Sequence, residues 1–288
     1  MLYFCADDYG LDETSSKRIL NCVHEGVINK VSVFPNLGHS DLEELVNKEG
    51  LRISLHLNLV EGRCMSNAEK IGLIADKNGN FKHDFGGLLK TSILHRKEFE
   101  KQIYEEIKAQ VLFFKDMLPQ GVHFCIDSHQ HTYMIPTIFK ALIKVLKDEK
   151  VEVKYMRIPA EPLAPFIKTP SLYLTYSAIN VIKQWLLKFF WLQNKRLLKS
   201  MEVSTAEFFG ILFSGKMDET RVSKILSKYI KLAEKKGRDI EVLFHPGYLQ
   251  KNEVDLESKN IAFEHFYLSE NRKVEYDAVM KLSERSVH

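Results

Sequence analysis

Features that would announce several function classes are missing from this chain. It has four cysteines in 288 residues, Cys5, Cys22, Cys64 and Cys125, and no Cys-x-x-Cys pair. Neither a disulfide scaffold nor a paired-thiol metal or redox motif is indicated, and the thiols read as small buried groups in a reducing compartment. Net charge is scarce: 41 Lys and Arg against 38 Asp and Glu leave +3, spread along the chain. That offers no footprint for a phosphate backbone, so no nucleic-acid partner is expected. Met1 to Ala6 lead at once into Asp7, without the basic and long apolar regions of a secretory signal, and a cytoplasmic location is the expectation. The most apolar stretch, Leu172 to Lys199, is interrupted by Lys183 and Lys188 well inside the roughly 20 apolar residues a span requires, so no transmembrane segment is expected. Internal repeats, low-complexity tracts and a Gly-x-Ser-x-Gly nucleophile element are likewise lacking.

What is present is ordinary globular material, 45% hydrophobic and 27% charged, enough for a sizeable core. Short apolar runs alternate with longer segments of helical periodicity, the pattern of repeated βα units around a parallel sheet. The runs are Leu2 to Ala6, Lys30 to Phe34, Ile53 to Leu57, Val122 to Ile126, Val151 to Ile158, Thr205 to Phe209 and Ile240 to Phe244. Helices are expected from an N-cap at Asp12 to Gly26, then near 40–48, 97–117, 136–149, 176–199, 218–236 and 273–284. About seven strands, each followed by a helix, predict an α/β fold: one (β/α) barrel-like domain over 1–288, TIM-barrel-like and possibly incomplete. Two insertions are expected, about 63–97 as a long loop over one mouth and about 159–200.

Barrels of this type place chemistry at the carboxyl ends of their strands, and here those ends are rich in Asp and His. They carry Asp7-Asp8, His56, Asp127-Ser128-His129-Gln130-His131, Arg157 and His245-Pro246-Gly247. Adjacent residues on an extended strand point to opposite sides, so Asp7 and Asp8 are expected to do different work. Asp127, His129 and His131 alternate and should share one side. Asp8, His56 and an imidazole of the His-x-His pair supply a carboxylate and two imidazoles, a ligand set suited to Zn, Fe or Co with positions left for water and substrate. Each feature has a plainer explanation: helix or turn capping for the Asp pair, surface histidines for His129 and His131, a turn hydrogen bond for His245, a peripheral salt bridge for Arg157. Arg157 could instead pair with Asp7 and hold it ionised.

These residues resemble a known family, the YdjC-like carbohydrate deacetylases, which include chito-oligosaccharide and hopanoid-biosynthesis deacetylases. The resemblance runs through Ala6-Asp7-Asp8-Tyr9-Gly10-Leu11, Leu55-His56-Leu57-Asn58-Leu59 with Glu61-Gly62, Asp127-Ser128-His129-Gln130-His131, Arg157-Ile158-Pro159 and His245-Pro246-Gly247-Tyr248. Ser54 stands where the family usually has Gly, and Asp12 where it usually has Ser. The resemblance implies one divalent metal, Mg or Zn with Co, Fe and Mn also compatible, held by Asp8, His56 and His129. It implies Asp7 as general base and His245 as general acid; Arg157 joins the catalytic set, and His131 and Asp127 stand in reserve. The expected reaction is hydrolysis of an N-acetylated sugar or oligosaccharide to acetate and a free amine. Two alternatives remain open: a two-His-one-carboxylate non-haem iron enzyme, and a non-catalytic lipid- or partner-binding module suggested by the apolar stretch 172–198.

On a helical wheel of that stretch, Ile179, Val181, Ile182, Trp185, Leu186, Phe189, Phe190 and Leu192 form one face, expected to pack on the barrel. Leu187 and Trp191 fall on the polar side among Asn180, Lys183, Gln184, Lys188 and Asn194. A partner subunit, a substrate chain or a lipid surface could cover them; a subunit contact, and hence a homodimer, is the expectation.

Overall fold

The computed structural model describes residues 1–253 and 267–286. Seven parallel strands, β1 (Leu2–Tyr9), β2 (Lys30–Val33), β3 (Arg52–Leu57), β4 (Phe124–Ser128), β5 (Val153–Met156), β6 (Ala206–Phe209) and β7 (Asp239–Phe244), pair in the order β5-β4-β3-β2-β1-β7-β6. Strands β1 to β5 follow one another across the sheet and β7 returns to pair with β1, so the sheet curls toward a barrel and leaves β5 and β6 as its edges. Among the described residues Ser204 alone makes a backbone bridge across that seam, accepting from Met156 N and donating to Lys154 O at 3.1 Å each. The result is the incomplete (β/α) barrel that the alternation of elements predicts.

The helices wrap the outside: α1 (Glu13–His24), α2 (Glu43–Val46), α3 (Phe85–Leu94), α4 (Arg96–Met117), α5 (Pro136–Asp148), α6 (Ala164–Ile167), α7 (Ala178–Leu198), α8 (Glu219–Lys236) and α9 (Glu270–Ser286). Asp12 caps α1 as expected, its carboxylate accepting from Thr14 N at 2.8 Å. None of the helices among the described residues is long and apolar enough to cross a membrane.

Strand alternation divides the core in two. Outward residues such as Val31, Val33, Leu55, Ile126 and Val242 are buried against the helices in one apolar cluster. Inward residues are mostly polar or charged. Lys30 Nζ lies 2.6 Å from Asp127 and 3.0 Å from Glu241, and Arg157 lies 2.7 Å from both Asp7 and Glu241. Tyr155 donates its hydroxyl to Glu241 as well. Five charged side chains thus meet inside the strands with essentially no solvent exposure. Lys30 and Glu241 look in the sequence like members of apolar runs, and only the closed curvature of the sheet brings them face to face.

Two segments depart from expectation. Residues 63–97 are not a long loop: a small antiparallel turn pairs Arg63 with Asn80 and Ala75 with Phe81, and α3 follows from Phe85. Asp84 caps that helix, accepting from Gly87 N at 2.7 Å, so the Gly86-Gly87 pair begins a helix instead of breaking one.

Helix α7 lies where expected but is rotated. Its buried residues are Gln184, Leu187, Phe190, Asn194 and Leu198, while Ile179, Ile182, Trp185, Phe189 and Leu192 are exposed. The cause is hydrogen bonding. Gln184 donates to the Glu161 carbonyl and Asn194 to the Met134 carbonyl, both at 2.8 Å, and these loop carbonyls have to be satisfied from the helix. Leu187 is therefore core, not a subunit contact, and the dimer expectation loses the surface that motivated it.

Burial raises the carboxyls of Asp127 and Glu241, but Arg157 and Lys30 outweigh it and hold both below their usual range. Groups so depressed stabilise the fold above about pH 4, and that stabilisation is lost on further acidification. Lys30→Met leaves the two carboxylates without one of their two cations, and breaking such a buried pair costs about 3–5 kcal/mol. Urea unfolding of the variant should show a loss of this size; a loss under about 1 kcal/mol would show that the network contributes little.

Candidate active site

The carboxyl end of the barrel gathers the expected residues, by a backbone route that strand alternation does not anticipate. Asp8 sits at φ 72, a left-handed conformation that side-chain-bearing residues rarely adopt, and β1 slips its register against β2 between Ala6 and Tyr9. Asp7 and Asp8 therefore reach the same imidazole instead of opposite sides. His56 Nε2 lies 3.3 Å from Asp8 Oδ1 and 3.9 Å from Asp7 Oδ2.

A second departure follows β4. The strand stops at Ser128, and Gln130 and His131 take φ values of 50 and 60 within a short 3₁₀ segment, so Asp127, His129 and His131 do not share one extended face. Asp127 points into the barrel beneath His56, whose Nδ1 is 2.6 Å from its Oδ1. Ser32 and Lys30 hold its other oxygen at 2.7 and 2.6 Å. His129 turns toward Asp8, with Nδ1 3.2 Å from the same Oδ1 that faces His56. The Phe34 ring meets both imidazoles edge to face, with centroids at 4.9 and 5.1 Å, and fixes their spacing.

Asp8, His56 and His129 thus present three donor atoms within 4.8 Å of one another. Separations of 3.2 and 3.3 Å from Asp8 Oδ1 suit ligands bound about 2.0–2.2 Å from a common ion. His56 Nε2 is buried with no hydrogen bond, and the Asp127 contact on Nδ1 leaves that nitrogen facing the cluster. Two other buried groups have metal-like composition, Cys5/Asp127/Glu241 and Asp7/His56/Asp127. The first already holds the Lys30 ammonium and the second is clamped by Arg157, so cations of the protein itself occupy them. The residues at Asp8, His56 and His129 fit a divalent ion.

Electrostatics agree. Burial works against the His56 cation, yet Asp7, Asp127 and Asp8 outweigh it and raise the imidazole to about 9. Burial raises the Asp8 carboxyl, but Arg272, His129 and His56 carry it well below the usual range, with Arg272 Nη2 2.6 Å from Oδ2. Asp7 is also lowered against burial, chiefly by Arg157, whose two terminal nitrogens reach its oxygens at 2.7 and 2.8 Å. This cluster attracts positive charge at one point.

A cavity of about 250 Å³ opens beside it, lined by Asp7, His56, His129, His131, Lys183 and His245, with Gln130 and Ser214. His245 hands its backbone N–H to Glu275 at 2.6 Å and places Nδ1 3.3 Å from the same carboxylate oxygen. His131 faces the cavity but joins no donor cluster among the described residues, and burial, then Lys183, holds it well below the usual histidine range. Glu275 and Arg272 on α9, Lys183 on α7 and Phe34 are contributors that sequence reasoning missed. The first three come from helices remote in sequence from any strand end, where no spacing rule points to a site.

A family model described as YdjC-like protein matches residues 1–286. The chain belongs to the YdjC-like family. Among relatives of this YdjC-like chain, a carbohydrate deacetylase of Danio rerio is 28% identical over 163 residues, 56% of this chain and 50% of that protein. One of Xenopus laevis is 30% identical over 165 residues, covering 56% and 51%. A carbohydrate deacetylase of Thermoanaerobacter pseudethanolicus is 26% identical over 162 residues, covering 55% and 61%. The matched region thus spans about half the length of these relatives. A crystal structure from Enterococcus faecalis V583, provisionally described as a cellobiose-phosphate cleavage protein, superimposes with a TM-score of 0.64 at 17% identity, over 98% of this chain and 92% of that one. This last likeness carries the fold.

Lys183 gives the site a measurable property. Burial lowers its ammonium to about 8, against about 10.4 for an unperturbed lysine. Mass-spectrometric labelling with an amine-selective reagent across pH should show Lys183 half reactive near pH 8. A midpoint above 10 would place the side chain in open solvent.

Proposed function

We propose that this YdjC-like chain is a metal-dependent hydrolase that removes the acetyl group from an N-acetylated sugar or oligosaccharide. The observation that carries the reading is the convergence of Asp8, His56 and His129 on one point, with the arginine-clamped Asp7 on one side and His245 across the cavity. The relatives named carbohydrate deacetylase support the substrate class.

A divalent ion such as Mg or Zn held by Asp8, His56 and His129 would supply positive charge at the amide carbonyl and lower the pKa of water. The protein does the rest. Asp127 fixes the His56 ring so that Nε2 faces the cluster. Asp7, ionised and oriented by both nitrogens of Arg157, accepts the proton as water attacks the acetyl carbon. Arg157 lowers the basicity of Asp7, so its contribution rests on position more than on proton affinity. His245, backed by Glu275, gives a proton to the departing nitrogen as the C–N bond breaks, and acetate and the free amino sugar leave.

Metal analysis should find one ion per chain, lost in His56→Ala and His129→Ala and kept in His131→Ala. Acetate release from N-acetylglucosamine and its short β-1,4 oligomers should proceed without oxygen, which an iron oxygenase would need. Asp7→Asn should keep the metal and lose about 10²–10⁴-fold in turnover, the usual worth of positioned proton transfer. Loss of metal in Asp7→Asn would exchange the roles of Asp7 and Asp8, and metal retained in both His→Ala variants would end the assignment. Glu275→Gln removes the carboxylate behind His245, so kcat should fall while metal content stays constant; unchanged kcat would leave His245 as a turn residue.

A further inference from the structure

The rotation of α7 leaves a surface that the deacetylase reading does not use. Ile179, Ile182, Trp185, Phe189 and Leu192 are 74, 67, 60, 59 and 55% exposed. At 3.6 residues per turn they lie on one side of the helix, three or four positions apart along its 21 residues. Large apolar groups seldom stand exposed in a continuous row without a partner.

Charge says what kind of partner. From Leu163 to Met201 the chain carries Lys168, Lys183, Lys188, Lys195, Arg196 and Lys199, and no aspartate or glutamate. Lys188, Lys195 and Lys199 are exposed and fall along one border of the apolar row, while Arg196 continues its line toward the helix end. An exposed row of Trp, Phe and Leu or Ile bordered by cations has the composition of a helix that lies in a lipid interface. A second copy of the chain fits poorly, because a two-fold contact sets the same patch against itself and would bring these cations together without a counter-charge. The helix is also tied to the active site: Ile179, Asn180 and Lys183 line a cavity of about 280 Å³ that shares Lys183, Ser214 and His245 with the catalytic one.

We propose that the exposed face of α7 docks the protein on an anionic lipid surface, with the apolar row in the interface and the basic border against the headgroups. Docking of this kind is peripheral and reversible, since the helix is too polar to span a bilayer. It stands on the surface of α7 alone and is unaffected if the deacetylase reading fails.

Co-sedimentation of the full chain with vesicles of phosphatidylcholine containing phosphatidylglycerol tests it. Binding is expected at low ionic strength, at least tenfold weaker on pure phosphatidylcholine and in 0.5 M salt. In a Trp191→Phe background, the remaining Trp185 emission should shift to the blue with vesicles. Trp185→Glu with Phe189→Glu should abolish binding while melting temperature and metal content stay at wild-type values, because both side chains are solvent-facing. No binding to anionic vesicles overturns the proposal, as does equal binding to both vesicle types. A wild-type dimer in light scattering that these substitutions convert to monomer also overturns it and makes the face a contact between copies.

Discussion

The barrel is built around charge. Most of its inward positions, from Asp7 on β1 to Glu241 on β7, are polar, and the fold holds because each buried ion finds partners across the axis. Such ions are expensive to desolvate, and their mutual attraction offsets that cost only when the geometry is good and the remaining lone pairs are bonded. The apolar layer between strands and helices supplies the driving force. The interior supplies the specificity of arrangement, since few ways of closing these strands would satisfy Lys30, Arg157, Asp7, Asp127 and Glu241 together.

The candidate site is the upper end of this network. Asp127 belongs to both: one oxygen orients His56 and the other bonds Lys30 and Ser32. Arg157 likewise ties Asp7 to Glu241 deeper in the barrel. Positioning at the top is inherited from ion pairing beneath it, so the groups around the donor cluster need little reorganisation during a reaction.

Much of this was legible in the sequence because strands and their ends obey simple periodicities. All seven strands and the main helices fall close to where apolar runs and caps place them, and Asp7, Asp8, His56, His129 and His245 do meet at one end of the barrel. Among what was not legible, three cases have a plain physical reason. Convergence of the adjacent Asp7 and Asp8 requires a left-handed residue, which local pattern does not forecast for aspartate. Lys30 and Glu241 sit in strands whose neighbours are apolar, so their role appears only when the sheet curls. The orientation of α7 is reversed because Gln184 and Asn194 serve loop carbonyls, and polarity on a wheel does not say whether a polar group faces water or an unsatisfied backbone.

The seam between β5 and β6 has a consequence for how such a protein can diversify. Every other neighbouring pair of strands is locked by several register positions, but among the described residues the backbone pairing at this junction is the single bridge at Ser204. The chain that leaves the seam and returns to it, residues 157–205, carries α6, α7 and Lys183 of the cavity lining. Insertions and deletions there leave the remaining strand pairings in register, so the size and lining of the cavity can drift while the ionic scaffold stays constant. The ionic scaffold and the excursion that contributes to the cavity therefore lie on different stretches of one polypeptide, and a designer wishing to alter which molecule enters would work on that excursion and leave the strands alone.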